Sequence, residues 1–397
     1  MMFKHLHYVS LIICLLLGCD QWANNSGVSM NLETVLASCQ KSLDVKDSQA
    51  AIQDCQFAEQ WLKRAQPESL LHAESLEKFG DALITVNLKT TNNNYQQALV
   101  IREKLMDKSA ASENLQIKLA NSFSSLGKLA EAEIAFKKAL HQTEDSKGQE
   151  SLEVADVLNR LGVIQLQQQL LTDAEQTLRR ALAIREAKLN AADTQLGETY
   201  NNLGFMYQLM DKKQDAESFY RKAVLNQEAA KEIPYAALYD SLSNLATLEQ
   251  KNGKLQNSEV FFNKLLAVAE KSFGKDSPQY ATGLNSLGML ALSSQNFAAA
   301  ENLFNSALVI REKKLGSNHL LTAESANNLA VSLANQDKRA QAQPLIRYAA
   351  AVTLVGLGEN NPLTQQRWAS LRTLEGLGAG NIGSLAQQIR RLTKKAN

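Results

Sequence analysis

The sequence predicts an all-α fold: a solenoid in which helix–turn–helix units stack one on the next. Three observations carry that prediction. The segments "LNRLGVIQLQQQLLTDAEQTLRRALAIREAKL" (158–189) and "YNNLGFMYQLMDKKQDAESFYRKAVLNQEAAK" (200–231) align without a gap at a spacing of 42 residues. Composition is helical, rich in Ala, Leu, Gln, Glu and Lys, with only 5 Pro and 6% aromatic residues in 397. Apolar positions recur at helical spacing and are separated by polar turns such as "GKLAEAE" (127–133) and "NGKLQNSE" (252–259).

Taken in order, residues 1–18 read as a leader. Lys4 opens it, His5 and His7 follow, and an apolar run extends from about Tyr8 to Gly18. That run is shorter than the roughly 20 residues a membrane-spanning helix needs. Its length and its charged start fit a secretory signal peptide. Leu16-Leu17-Gly18-Cys19 resembles the lipobox of bacterial lipoproteins: two aliphatic residues, a small one, then cysteine. The resemblance implies cleavage before Cys19 and acylation of that residue. Two or three acyl chains, at about 0.8 kcal/mol per buried methylene, anchor stably where one would not. The alternative is an ordinary signal peptide with a chance cysteine. Asp20, next after the cysteine, implies by the same resemblance retention on the periplasmic face of the inner membrane rather than export to the outer one. Residues 19–30 then read as a lipidated, flexible tether.

Loss of residues 1–18 leaves 379 residues with 41 basic and 41 acidic side chains, a balance that gives nucleic acid no reason to bind. Of four cysteines, Cys14 leaves with the leader and Cys19 is acylated. Cys39 and Cys55 remain, in a compartment that permits disulfides. They fall in residues 31–111, which read as degenerate helical hairpins. Two amphipathic helices flank the polar turn "DVKDSQ" (44–49), and residue 47 is the midpoint between the two cysteines. Residues equidistant from the turn of an antiparallel hairpin can face each other, so a Cys39–Cys55 bridge is expected. The alternative is two small buried thiols. Further on, "YQQALVIREKL" (95–105) and "ESLEKFGDAL" (74–83) copy the second and first helix of a repeat, the first helix one residue out of register.

Residues 112–360 hold the repeats in full register. Leu119, Leu161, Leu203, Leu245, Leu287 and Leu329 lie one period apart, each followed by a small residue: Ala120, Gly162, Gly204, Ala246, Gly288, Ala330. A second small column, Ala132, Ala174, Ala216, Ser258, Ala300 and Ala342, precedes by four residues a bulky one: Phe136, Leu178, Tyr220, Phe262, Phe304, Ile346. Small residues let helix A and helix B of a unit approach closely, and the bulky residue is expected to fill the space between B and the next A. Between units, "FGKDSP" (273–278), "LGSNHL" (315–320) and "LGENNP" (357–362) place glycine where a left-handed residue ends helix B, and Pro278 and Pro362 in the next first turn.

This small–bulky spacing resembles the tetratricopeptide repeat. The 42-residue period, the "NNLG" and "NNLA" segments and "ALVIREKKLG" (307–316) resemble the version found in kinesin light chains. The resemblance implies a right-handed α-solenoid whose A helices line a concave groove. Residues 361–397 read as one degenerate repeat and a capping helix: Leu371 keeps register, but Arg372 and Arg391 stand where small residues stand elsewhere. The helix over 382–394 has a basic side, and contact of that side with anionic lipid is the alternative to a solvent-facing cap.

Catalytic signatures are missing from this chain: it has no HExxH, no Gly-rich phosphate loop and no GxSxG, and His72, His141 and His319 lie far apart. The reading is therefore non-enzymatic, with no cofactor and no metal. What stands out is a ladder of amides just before the leucine column. One column reads Asn159, Asn201, Ser243, Asn285, Asn327, and the next Arg160, Asn202, Asn244, Ser286, Asn328. Asparagine is a poor helix former, so its recurrence in mid-helix needs a reason. In tetratricopeptide proteins the second column bonds the backbone of an extended peptide, and an amide offers donor and acceptor together. The alternative is that these amides tie neighbouring A helices together. If the family geometry carries over, Asp156, Glu198, Asp240, Glu324, Phe205 and Met289 join the groove. The expected function is a membrane-anchored scaffold that holds a peptide or protein partner. The other reading is a permanent structural subunit of an envelope complex or a homo-oligomer.

Overall fold

A computed structural model describes residues 32–45 and 48–375. The leader, Cys19, the tether and the 382–394 helix lie outside the described residues. The chain divides into two compact units, residues 1–184 and 185–397. In the first lie helices α1 (Leu32–Asp44), α2 (Ser48–Ala65), α3 (Leu70–Leu83), α4 (Leu88–Lys104), α5 (Ala110–Ser125), α6 (Leu129–Lys147) and α7 (Leu152–Gln167). Helix α8 (Leu171–Lys188) contains the point of division. In the second lie α9 (Thr194–Leu209), α10 (Lys213–Ala229), α11 (Tyr235–Lys251), α12 (Leu255–Phe273), α13 (Pro278–Ser293), α14 (Phe297–Leu315), α15 (Leu320–Ala334), α16 (Arg339–Leu357) and α17 (Pro362–Glu375). Among the described residues every element is a helix, and within each unit consecutive helices pack as pairs. The fold is an all-α solenoid.

The tight approach of helix A to helix B follows from the small columns. Ala132, Ala174, Ala216, Ser258, Ala300 and Ala342 are fully buried. Ser258 keeps its hydroxyl satisfied by donating to the Ala246 carbonyl at 2.9 Å. The bulky column behaves differently from expectation. A methyl group built on Gly162 would lie 2.6 Å from Leu178, one on Gly204 2.6 Å from the Tyr220 ring, and one on Gly288 2.7 Å from Phe304. Each bulky side chain therefore seats on the small residue of helix A in its own repeat, rather than only filling the gap to the next one. At the N-terminal end Gly80 and Tyr95 repeat this contact one residue out of register, at 2.5 Å.

Two kinds of turn punctuate the chain. Inside each repeat one residue takes a positive φ between 56° and 77°: Gly127, Gln169, Asp211, Gly253, Gln295 and Asp337, again 42 apart. The next amide then bonds back to a carbonyl five residues earlier, as from Lys128 to Phe123, Lys212 to Tyr207 and Lys338 to Leu333, at 2.9–3.0 Å. This is the closing bond of a Schellman motif. Between repeats, Gly148, Gly274, Gly316 and Gly358 combine φ of 82–88° with ψ of 151–169°. That is an extended region open only to glycine, not the left-handed helical conformation the sequence suggested. Ser277 caps α13 through the Tyr280 amide at 3.1 Å, with Pro278 in its first turn. At the N-terminal end Cys39 and Cys55 are joined as a disulfide with Cα atoms 4.6 Å apart, linking α1 to α2.

Candidate functional site

The amide ladder resolves into rungs. Asn201 and Asn202 lie on α9, Asn244 on α11, Asn285 on α13, and Asn327 and Asn328 on α15. Asn159 is buried on α7 of the first unit, at 8% exposure. In the second unit the Asn244 Nδ2 donates to Asn201 Oδ1 at 3.0 Å, and the Asn328 Nδ2 to Asn285 Oδ1 at 3.1 Å. Both bonds join one A helix to the next, and α9 packs on α11 and α13 on α15. Asn327 Nδ2 points at Asn328 Oδ1 at 3.5 Å, and its own buried Oδ1 has no partner.

The Asn201–Asn244 bridge uses half of its amide pair, and the Asn285–Asn328 pair is engaged in all but one group. Among the described residues the Asn201 Nδ2 donor and the Asn244 Oδ1 acceptor enter no hydrogen bond, and neither does the Asn285 Nδ2 donor. An accessible donor beside an accessible acceptor is the complement of a peptide unit. Phe205 and Met289, two residues past the leucine column, are 39% and 38% exposed and add apolar surface to the same helices. The acidic positions divide. Glu198 and Asp240 are exposed, whereas Glu324 pairs with Arg311 at 3.0 Å.

Sequence reasoning missed a second set, the buried arginines. Arg185 and Arg311 on the B helices are 2% and 1% exposed. Arg185 donates to the Gln195 carbonyl at 2.7 Å and to Thr199 Oγ1 at 2.6 Å. Arg311 donates to the Leu321 carbonyl and to Ser325 Oγ, both at 2.8 Å. Each hydroxyl lies 14 residues beyond its arginine, on the next A helix. The last such pair is reversed: Thr353 stands on α16 and Arg367 on α17, with Nη1 donating to Thr353 Oγ1 at 2.5 Å. The signal in the sequence was "IRE" at 184–186 and 310–312, a charge inside an apolar stripe.

The reversal places Arg367 at the wall of a cleft between α15 and α17. The cleft has a volume of about 300 Å³ and is lined by Leu320, Leu321, Glu324, Asn327, Asn328, Leu363, Gln366, Arg367 and Ser370. Burial pushes the Arg367 guanidinium below its usual pKa, with nearby Glu324 pulling the other way. Among the described residues no cluster of His, Cys, Asp or Glu has the makings of a metal site, and no helix is long and apolar enough to cross a membrane.

With that geometry in view, residues 153–228, 238–313 and 284–354 match the sequence profile of the tetratricopeptide repeat. The solenoid is built of tetratricopeptide repeats. Three solved structures are similar to the chain. The apo form of the quorum sensor NprR from B. thuringiensis is 14% identical, with 88% of this chain and 98% of that chain covered at a TM-score of 0.60. The signal transduction ATPase PH0952 from Pyrococcus horikoshii, which has a tetratricopeptide repeat sensor, is 12% identical at a TM-score of 0.60. That alignment covers 93% of this chain and 54% of that one. BtubC (BKLC) from P. vanneervenii is 21% identical over 57% of this chain and 89% of that chain, at a TM-score of 0.47. At these identities the likeness to the first two is one of fold alone. No curated protein sequence matches the chain.

Proposed function

We propose that this protein is a non-catalytic adaptor, tethered to the bacterial envelope membrane through acylated Cys19 and facing the periplasm. It holds an extended segment of a client protein along the A helices of its second unit. The observation that carries this reading is the pair of amide bridges, Asn201–Asn244 and Asn285–Asn328. Each fixes two A helices side by side; the first leaves a donor and an acceptor for a peptide backbone, and the second leaves the Asn285 donor. The amides thus serve both roles considered from the sequence: they tie neighbouring helices and they present peptide-binding groups. Asn202 shares the column of Asn244 and Asn328. The lipobox and the Asp20 position support the anchor and the inner-membrane location.

The test is a crosslinking pull-down from the native membrane with wild type and the triple variant Asn202→Ala, Asn244→Ala, Asn328→Ala. Helical content is expected to stay constant, since a hydrogen bond of this kind is worth about 1 kcal/mol net. Affinity for the captured client is expected to fall at least tenfold. A partner held equally by both proteins, in fixed stoichiometry, would replace the receptor with a permanent envelope subunit. Cys19→Ser, followed by membrane fractionation, checks the anchor separately: unchanged membrane association would remove it.

A further inference from the structure

We infer that the edge of the first unit from which α1 starts is a docking surface for an anionic phospholipid bilayer. This deepens the membrane-anchored reading and rests on it for bringing a bilayer within reach. Helix ends define the edge. Lys78 Nζ donates to Gln40 Oε1 at 2.5 Å, and each residue lies eight positions into its helix, so the starts of α1 and α3 stand level. The Cys39–Cys55 disulfide and the bond from Ser42 Oγ to Asp54 Oδ2 at 2.5 Å set α2 antiparallel to α1. Lys63 and Arg64, in the last turn of α2, are thereby brought to the same edge. Lys104, at the end of α4, pairs at 2.6 Å with Glu68, just ahead of α3.

Apolar side chains stand out from this edge. Leu70 and Leu105 are each 47% exposed and Met106 is 85% exposed. Met106 lies one period of 42 before Gly148 and takes a φ of 55°, so a long apolar side chain is held outward from a left-handed position that ordinarily takes glycine or asparagine. Burial within the fold gives no reason for it. Around these residues Lys63, Arg64 and Lys108 are exposed and enter no ion pair among the described residues. The neighbouring carboxylates are held: Asp107 by Arg102 at 2.6 Å, Glu103 by Lys138 at 3.0 Å, and Glu113 by the Thr143 and Ser146 hydroxyls at 2.9 Å. Unpaired cations around an exposed apolar tip suit a membrane interface, where the tip enters the headgroup boundary and each cation gains from anionic lipid. Thirteen residue steps separate Cys19 from Leu32, a reach of at most about 45 Å, so an acylated Cys19 keeps the edge close to the bilayer. The opposite edge also exposes Ile84 and Val86, but it lies a helix length, about 20 Å, farther from the start of α1.

The experiment places a photoreactive benzophenone amino acid at Met106 or, as the control edge, at Val86 in the full chain. The protein is reconstituted in vesicles of phosphatidylcholine containing one quarter phosphatidylglycerol. After irradiation, mass spectrometry of the peptide around each position reads lipid adducts, and the peptide around Cys19 reads acylation. The lipid adduct at 106 is expected to exceed that at 86 at least fivefold. Vesicles of phosphatidylcholine alone are expected to lower it at least threefold, and so is the triple variant Lys63→Gln, Arg64→Gln, Lys108→Gln in anionic vesicles. The altered positions are all exposed, so loss of the fold does not imitate the result. Equal adducts at the two positions, none at 106, or indifference to both charge changes would overturn the docking edge. A protein adduct in place of lipid at 106 in native membranes would overturn it too, by assigning the edge to a protein partner. Acylated Cys19 without the contrast between 106 and 86 removes the edge and leaves the anchor. Unmodified Cys19 with the contrast intact removes the anchor and leaves the edge.

Discussion

At the scale of single residues, contact distance decides which positions tolerate change. Gly204 has no room for a side chain: an added Cβ would lie 2.6 Å from Tyr220, whose ring is fully buried and whose hydroxyl donates to Gln208 Oε1 at 3.2 Å. Gly204→Ala is therefore expected to destabilise the second unit by about 1–3 kcal/mol, the usual cost of overpacking. Gly283→Ala, whose nearest neighbours are leucine side-chain tips at 3.0 Å, should cost less. Urea unfolding of the two variants checks this, and equal midpoints would show that the Tyr220 ring yields. The small columns were legible in the sequence because a steric requirement repeats at every unit. The buried arginines were not. Arginine is almost always solvent-exposed, so Arg185 and Arg311 read as surface residues until their partners 14 residues away are brought alongside.

At the scale of the element, the repeat is a geometric template that several residue types fill. The turn inside each unit takes a positive φ at Gly127 and Gly253, but also at Gln169 and Gln295, with φ of 61° and 59°. Holding a residue with a Cβ there costs about 1–2 kcal/mol, against roughly 0.5–1 kcal/mol of extra chain entropy lost by glycine. Gln169→Gly and Gln295→Gly are each expected to stabilise by about 0.5–1 kcal/mol in thermal unfolding. A loss of stability would mean that the glutamine side chains contribute contacts exceeding the strain. The arginine–hydroxyl pair is equally a template, since Thr353–Arg367 shows it running in reverse. Arg311→Thr should destabilise by about 1–3 kcal/mol by leaving the Leu321 carbonyl and Ser325 without their donor. Adding Ser325→Arg should recover part of that loss, read as a coupling energy in a double-mutant cycle. Strict additivity of the two changes would show that the pair cannot be exchanged at this site.

At the scale of the whole chain, the period of 42 residues made the solenoid legible, because every unit repeats the same small, bulky and turn positions. It left the division at residue 184 invisible, since the leucine column passes from Leu161 to Leu203 without a break. The cleft was hidden for a related reason: Asn327 and Asn328 were legible as ladder members, but Arg367 belongs to none of the columns that the period picks out. The two units also differ in what secures them. The disulfide Cys39–Cys55 lies in the first, where α1 and α2 form the outermost hairpin among the described residues. Closing a loop of 16 residues restrains the unfolded chain by about 3 kcal/mol. Its reduction should therefore act locally, because in a stacked array each unit draws its stability from its immediate neighbours. Hydrogen exchange with and without reductant is expected to show faster exchange over residues 32–65 and unchanged protection from α9 to α16. Matching losses in both units would mean that the chain opens as one cooperative body. The hairpin would then be part of what stabilises the second unit, not a separate clasp on α1 and α2.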